Sequence, residues 1–389
     1  MRAPRLLIVG GGHASLPLLS SARKLIRATG AEVTLVSDRP KLWYSGMTPE
    51  WLGGVYTRDQ VTVPLDAICE REGVRFVQGR AVSLDRETRT VRLEDGTMLP
   101  YDVVAFDIGA VNPGAPGGDA IHTKPLWRIE ELGAFLDGIA GGGFGRLTIV
   151  GGGAAGVECA LNVTARPDLG GLAVAVVEPS DRLCGGLPRR LGAGVLRTLE
   201  DRSADVRLGE RVERITEAGV RLESGETLAS DAVLWATGSV GPPLFAQAGL
   251  PVTDEGFARV SRGLRSLGDP RVFVSGDSAS VKGHEDLARI GVHAVKQGPT
   301  LRANVGRAVW ALARDADPAK ADLKRFRPYP VAPLLISTGE PEAWGVVGKT
   351  ALRSGALLRL KHAVDRRWVA RYSSAGFASR WDARAAGEG

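Results

Sequence analysis

Cysteine is scarce in this chain: 389 residues hold three, Cys69, Cys159 and Cys184. None stands in a CxxC pair or shares metal-ligand spacing with another. That excludes a disulfide framework and a zinc site, and no metal is expected. A sparse, odd count fits a reducing compartment, so the expected location is the cytoplasm. Long apolar runs are also missing. None reaches the roughly 18–20 residues of a membrane span. Arg2 and Arg5 ahead of a short apolar stretch imitate a signal peptide, but Leu6–Val9 runs straight into glycines and reads as the first strand of a fold.

The net charge is +6, and its distribution is uneven. From Lys320 onward there are 13 Lys/Arg against 6 Asp/Glu, net +7, so the rest is close to neutral. A basic tail suits anionic lipid, an acidic partner or nucleic acid. An arginine-rich genome produces the same bias. No nucleic-acid partner is expected. The length fits two or three domains, and 44% hydrophobic with 24% charged residues is the balance of a soluble globular protein.

What the chain has in excess is glycine, 51 residues, many directly after apolar segments. Leu6–Val9 leads into Gly10-Gly11-Gly12-His13-Ala14-Ser15, a helical stretch to about Ala28 and the strand Val33–Val36. Leu147–Val150 leads into Gly151-Gly152-Gly153-Ala154-Ala155-Gly156, a helix to about Ala165 and the strand Ala173–Val177. Each is a βαβ unit with a glycine turn at the strand–helix junction. Alternating strand pairs follow each copy, then a closing apolar strand that ends at Gly109 or Gly238. The expected class is α/β: two Rossmann-type dinucleotide-binding domains of three-layer ββα form, the second inserted in the first, plus a C-terminal α+β extension. Expected boundaries are 1–115 with 240–310, 118–238, and 320–389.

The second turn is a complete Gly151-x-Gly153-x-x-Gly156. The glycines provide the turn, room for a pyrophosphate and close helix–strand packing. Ala155 lies in the same turn, and the helix start offers free N–H groups. Glu178 follows the second strand, where a carboxylate accepts from both ribose hydroxyls. It also repels a 2′-phosphate, which favours NADH over NADPH, while nearby Arg182 works against that preference. In the first turn Gly10, Gly12, His13 and Ala14 precede Ser15, a small residue at the third glycine's place. Ser37 or Asp38 stands where a ribose would be met.

Arg271-Val272-Phe273-Val274-Ser275-Gly276-Asp277 resembles the second flavin motif of two-dinucleotide flavoproteins, in which the Asp holds a ribityl hydroxyl. A returning segment completes the first unit only if the second is inserted. FAD is therefore expected in 1–115 with 240–310, and the nicotinamide nucleotide in 118–238. Expected FAD contacts are Gly10, Gly12, His13, Ala14, Ser15, Ser37, Asp38, Ala81, Gly109, Gly276, Asp277 and Val292. A helix near Gly291–Val305 would present its N-terminus to the flavin. Expected nicotinamide-nucleotide contacts are Gly151, Gly153, Ala155, Gly156, Glu178 and Gly238.

Together these residues resemble the pyridine nucleotide–disulfide oxidoreductase superfamily. Within it the chain is similar to NADH-dehydrogenase-like flavoproteins related to the domain fused ahead of selenide, water dikinase. Tyr44–Pro49, Gly291–Pro299, Leu335–Gly339 and Lys361–Arg367 carry that likeness, which implies a version without the kinase. It implies FAD, NADH or NADPH as donor, and a quinone or another acceptor. Disulfide reductases of the superfamily carry CxxxxC around residues 40–50, where this chain has Lys41-Leu42-Trp43-Tyr44-Ser45-Gly46-Met47, so a dithiol relay there is excluded. Sulfide:quinone oxidoreductases use a late cysteine, and none follows Cys184. Type II NADH dehydrogenases carry two glutamines four apart where Val292 and Lys296 stand. Glu158 matches their glutamate after the second glycine motif. Glu158 and Lys296 are the candidate catalytic residues.

The expected activity is hydride transfer from NADH to the flavin, then electron delivery to an acceptor. A sulfide:quinone oxidoreductase-like enzyme and a nucleotide-sensing flavoprotein with little turnover are the alternatives. A basic amphipathic helix is expected from about Leu352 to Tyr372, with Leu357, Leu360, Val364 and Trp368 as its apolar stripe and Arg359, Lys361, Arg366, Arg367 and Arg371 as its basic surface. The stripe either packs on the flavin domain or lies peripherally on the inner face of the membrane.

Overall fold

The computed structural model describes residues 2–122, 128–331, 333–373 and 376. The chain divides into two compact units. One comprises Met1–Leu42, Val63–Val111 and Val240–Pro330; the other comprises Trp43–Thr62, Asn112–Ser239 and Val331–Gly389. The C-terminal stretch and the Trp43–Thr62 segment thus fall with the middle of the chain. Most of the expected 320–389 extension beyond Ser373 lies outside the described residues.

The first unit is built on a five-stranded parallel sheet in the order Val272–Val274, Val103–Phe106, Arg5–Val9, Glu32–Ser37, Arg75–Gln78. Its central strands are apolar on both faces, as a sheet covered on both sides requires. The chain leaves this unit at Val111 and returns at Val240, and those two residues bridge each other. An insertion between such close ends costs the sheet nothing. The helix after the first glycine turn divides into Leu16–Leu19 and Ala22–Thr29. The Ser21 hydroxyl donates to the carbonyls of Pro17 and Leu18 and competes with the helical ladder at the break. Ala81–Asp85, Thr90–Leu93 and Met98–Pro100 form the small antiparallel sheet. The Gly291–Leu312 helix runs past its expected end at 305. Gly298 lets it close on the first turn, since a Cβ there would stand 2.7 Å from Pro17.

The second unit repeats the plan: Ile121–His122, Ala232–Trp235, Gly145–Val150, Leu172–Glu178, Asp205–Leu208, all parallel, with Val212–Thr216, Gly219–Leu222 and Thr227–Ala229 as its antiparallel sheet. Leu334–Ser337, Ala343–Val347 and Thr350–Ser354 add a second antiparallel sheet, followed by the Gly355–Val369 helix.

That helix corrects two expectations. It starts at Gly355 rather than near Leu352, because Thr350–Ser354 pairs as a strand and the Ser354 hydroxyl caps the helix by accepting from Leu357 N at 3.3 Å. The apolar stripe also divides. Trp368 is buried, whereas Leu360 and Val364 are 52% and 54% exposed. The inward face is Leu358, Lys361, His362, Asp365, Trp368 and Val369, so Lys361 does not belong to the basic surface. Binary patterning fails here because the buried polar residues carry their own partners.

Candidate functional site

In the first unit the glycine turn closes onto the end of the Val103–Phe106 strand. Gly10 has φ +88°, and a Cβ there would stand 2.3 Å from the Asp107 carbonyl oxygen; one at Gly12 would stand 2.5 Å from the Asp107 carboxyl carbon. Only glycine permits this approach. Asp107 Oδ2 accepts from Ser15 N at 2.7 Å. The side chain is almost wholly buried, and burial pushes its carboxyl up to about 7 against the pull of the Ser15 and Ala14 N–H groups, with the charge of Asp277 adding to the rise.

Gly276, at φ +66°, lies against Asp107 Oδ1, and its N–H donates to Gln297 Oε1 at 2.7 Å. Beside it is a small pocket lined by Asp277, His284, Arg289, His293 and Gln297, among others. His293 Nδ1 and Arg289 Nε are buried without hydrogen-bond partners. Gly109, at φ +70°, has open space where a Cβ would stand. Burial lowers His13 to about 4, opposed by Asp277, so its ring is neutral at pH 7. Ser37 is buried at the end of its strand, Asp38 is exposed just beyond, and Ala81 is half-buried at the start of the antiparallel sheet. Val292 and Lys296 lie about one turn apart on the Gly291–Leu312 helix, with Lys296 Nζ 4.3 Å from the centre of the Tyr329 ring. A cradle of glycines with unpartnered buried nitrogens beside it fits a cofactor such as FAD.

In the second unit Gly151 has φ +114°, with room for a Cβ denied by the Ala236 carbonyl at 2.6 Å. Gly156 packs on the Gly151 carbonyl, while Gly153 and Gly238 face open space. Ala155 is exposed at the helix start. Glu178 closes the ring: Oε2 accepts from Gly152 N at 2.6 Å and Oε1 from Ser180 N at 2.9 Å. Thr237 Oγ1 is buried without a partner. Arg182 donates to the carbonyls of Gly185 and Leu187, which ties its guanidinium to its own loop. This turn fits a nicotinamide dinucleotide.

Also in the second unit, the Thr48–Leu52 helix packs on the Ala154–Thr164 helix. Glu158 is largely buried, and its Oε1 accepts from Ser337 N at 2.8 Å and Ser337 Oγ at 2.9 Å. Burial raises it to about 7, against the pull of Lys361 and the Ser337 N–H. Lys361 Nζ lies 4.0 Å from Glu158, 2.6 Å from Glu50 and 3.0 Å from Asp365, and it also donates to the Gly46 carbonyl. His362 Nε2 is 2.6 Å from the other Glu50 oxygen, and Tyr44 OH donates to Asp365 at 2.8 Å. The Tyr44 ring stacks on Trp368 with centres 4.4 Å apart. Sequence reasoning missed Glu50, His362, Asp365 and Tyr44 as members of this group. Their positions fall in segments remote along the chain, and only the fold brings them together.

A family model, pyridine nucleotide-disulphide oxidoreductase, matches residues 4–298. The chain belongs to that family. A probable ferredoxin reductase of Castellaniella defragrans is 31% identical over 285 residues, 70% of this chain and 67% of that one. A type II NADH:quinone oxidoreductase of Staphylococcus aureus is 25% identical over 338 residues, 78% of this chain and 82% of that one. The structure of NDH2 from Plasmodium falciparum in complex with NADH shares the fold: TM-score 0.72, 12% identity, 95% of this chain and 97% of that one.

The protein is an FAD-dependent NAD(P)H oxidoreductase. Cys69, Cys159 and Cys184 are free and buried, and burial raises them to about 12, 12 and 11. Cys184, the loop cysteine, also sits at φ +54° in a tight turn. No described helix is long and apolar enough to cross a membrane.

Proposed function

We propose that the protein oxidises NADH through bound FAD and delivers the electrons to a quinone at a membrane surface. The observation that carries this reading is Glu178, fixed by Gly152 and Ser180 N–H groups beside the second glycine turn while Arg182 is occupied elsewhere. In that arrangement a 2′-hydroxyl finds an acceptor, and a 2′-phosphate finds only repulsion. The flavin, when bound, supplies the chemistry of accepting a hydride and releasing electrons.

The chain's residues bind, orient and hold protons. Residues 1–115 with 240–310 take FAD: Gly10, Gly12, Ala14 and Ser15 at the pyrophosphate, Ser37, Asp38 and Ala81 toward the adenosine end, Gly109, Gly276, Asp277, His13 and Val292 toward the flavin. Residues 118–238 take NADH through Gly151, Gly153, Ala155, Gly156, Glu178 and Gly238. Glu158, with its carboxyl near neutrality, holds a proton for the acceptor. Lys296 is the second candidate, although its stacking on Tyr329 gives it a structural task.

Within the family we place the chain beside the flavoproteins related to the domain fused ahead of selenide, water dikinase. The quinone reading rests on the likeness to the Staphylococcus aureus enzyme and on the outer face of the C-terminal helix. That face combines exposed Leu360 and Val364 with exposed Arg359, Arg367 and Arg371, a combination suited to the cytoplasmic leaflet. A sulfide oxidoreductase would need a reactive thiol, and the three buried cysteines offer none.

The deciding experiment is anaerobic mixing with one equivalent of NADH, followed by a menaquinone analogue, ubiquinone-1, ferredoxin and sulfide. Rapid flavin bleaching by NADH and recolouring by a quinone support the proposal. A long-lived NADH complex that no acceptor recolours would replace it with the nucleotide-sensing reading.

A further inference from the structure

The proposed function leaves Asp107 without a task. A carboxyl group sits where the first glycine turn, the strand end and the Gly276 turn converge. It takes the Ser15 N–H at 2.7 Å, it lies where a Cβ on Gly12 would stand 2.5 Å from its carbon, and its other oxygen would be 2.4 Å from a Cβ on Gly276. With 4% of its surface exposed, it is shut away from the bulk solvent that would stabilise a charge.

We propose that Asp107 is a proton-linked positioning residue of the FAD site: it binds a proton when the cofactor's pyrophosphate docks on the Gly10–Ser15 turn, and it holds the turn from beneath in the neutral form. This rests on the assignment of FAD to the first unit.

The argument begins with the anions. A dinucleotide brings two negative phosphates toward the backbone N–H groups of the turn, and Asp107 already takes one of them, that of Ser15. A third fixed negative charge beneath the same turn would cost binding energy at short range in a low-dielectric site. Protonation removes that cost, and a carboxylic acid retains a carbonyl oxygen to accept from Ser15 N.

Among the described residues, no cation forms an ion pair with the Asp107 carboxylate. From the glycine turn the titratable group is His13, which burial keeps neutral. From the Gly276 turn it is Asp277, a like charge that raises Asp107 further. From the Gly291–Leu312 helix, His293 feels Asp277 and is held below its ordinary value by burial; Arg289, before that helix, likewise interacts with Asp277. Asp107 sits near 7 before any phosphate arrives, so bound pyrophosphate moves it through the physiological range. The balance is simple: one proton passes from solvent to Asp107 for each FAD bound, and no other bond changes.

The test uses the full chain, stripped of flavin and titrated with FAD from pH 6 to 9 by flavin fluorescence and calorimetry in two buffers of different ionisation enthalpy. The expected result is uptake of close to one proton per FAD above pH 8. Affinity should fall by up to tenfold per pH unit there and level off below about pH 6.5. Asp107→Asn should bind FAD with a flat pH profile. Infrared difference spectra of the wild type should gain a protonated-carboxyl band on FAD addition, and that measurement stands even if the variant fails to fold. Pyrophosphate-independent binding, no proton uptake, no carboxyl band, or an unchanged slope in Asp107→Asn overturns the proposal. Failure to bind FAD at any pH would instead overturn the assignment of FAD to this unit.

Discussion

The Lys361 ammonium lies 2.6 Å from Glu50 Oε2, and the two side chains are only 5% and 1% exposed. Burial alone would lower Lys361, but Asp365, Glu50 and Glu158 raise it well above its ordinary value. Burial would raise Glu50, but Lys361 and His362 overcome it and hold Glu50 below the usual carboxylate range. Each ion is stable at that depth because opposite charges surround it.

Lys361→Met should therefore cost about 3–5 kcal/mol, because it strands Glu50 and Asp365 as uncompensated buried charges. Urea unfolding followed by far-UV circular dichroism measures it. Lys361→Met combined with Glu50→Gln should recover part of the loss, and strictly additive costs would show that the pair is not coupled. The sign with pH follows from Glu50. Its carboxyl is lowered in the folded state, so its contribution is present above the unfolded value and is lost as pH falls through the folded one. Glu50→Gln should blunt that part of the acid sensitivity.

Glu158 predicts the opposite sign. Its folded value is raised to about 7, so the wild type is progressively penalised as pH rises from the unfolded carboxylate value through 7. Relative to wild type, Glu158→Gln should gain stability between pH 5 and pH 8. Quinone reduction by the wild type should decline as pH rises through about 7, and the inflection should vanish in the variant while NADH still bleaches the flavin. A retained inflection would remove Glu158 from proton handling.

Glu178→Ala should erase the preference for NADH. Losing a charged acceptor for the ribose hydroxyls and its repulsion of a 2′-phosphate is worth on the order of 1–3 kcal/mol, roughly 5- to 150-fold in the ratio of kcat/KM for the two donors. Stopped-flow flavin reduction with NADH and NADPH gives that ratio directly, and equal efficiencies in the wild type would disprove the role.

Replacing Cys69, Cys159 and Cys184 together with alanine or serine should leave NADH-to-dye turnover within a few-fold of wild type, after correction for bound flavin. Loss of turnover in a folded, flavin-loaded variant would expose a thiol step.

Membrane contact is tested on the outer face of the C-terminal helix rather than by truncation, since removing the helix would also strand Glu50. Leu360→Asp with Val364→Asp should abolish co-sedimentation with anionic vesicles at low salt. Arg359→Gln, Arg367→Gln and Arg371→Gln should each weaken it by about 1 kcal/mol. Equal sedimentation of the wild type and the aspartate variant would leave these residues without that task.

Much of the fold was legible because the glycine turns, the apolar parallel strands and the duplicated order are local signals. Gly10 and Gly151 announce their turns in sequence, and the structure gives each a positive φ against a facing carbonyl. Glu178 was legible for the same reason, being a fixed distance from its turn. Asp107 was not, although it ends an apolar strand just before Ile108-Gly109, because only the neighbouring turns reveal what its carboxyl touches. The C-terminal helix misled because periodicity assumes that charge faces water. Lys361, His362 and Asp365 face inward because Glu50 and Tyr44 meet them there, and a one-dimensional pattern carries no information about partners that distant.

The separation between Glu50 and Lys361, 311 residues, has a consequence during synthesis. At ~5–20 residues per second, a ribosome needs roughly 15–60 s after making Glu50 to deliver its counter-ion. Neither compact unit is a continuous stretch: the first needs the chain up to Pro330, and the second cannot finish until the last helix has emerged. The nascent protein spends that interval with an acidic group destined for the interior and no base to receive it, and a stalled chain lacking its final helix stays in that state. Holding such intermediates apart is a task for chaperones, and the yield of folded protein should depend on how fast the last helix is made as well as on how stable the finished molecule is.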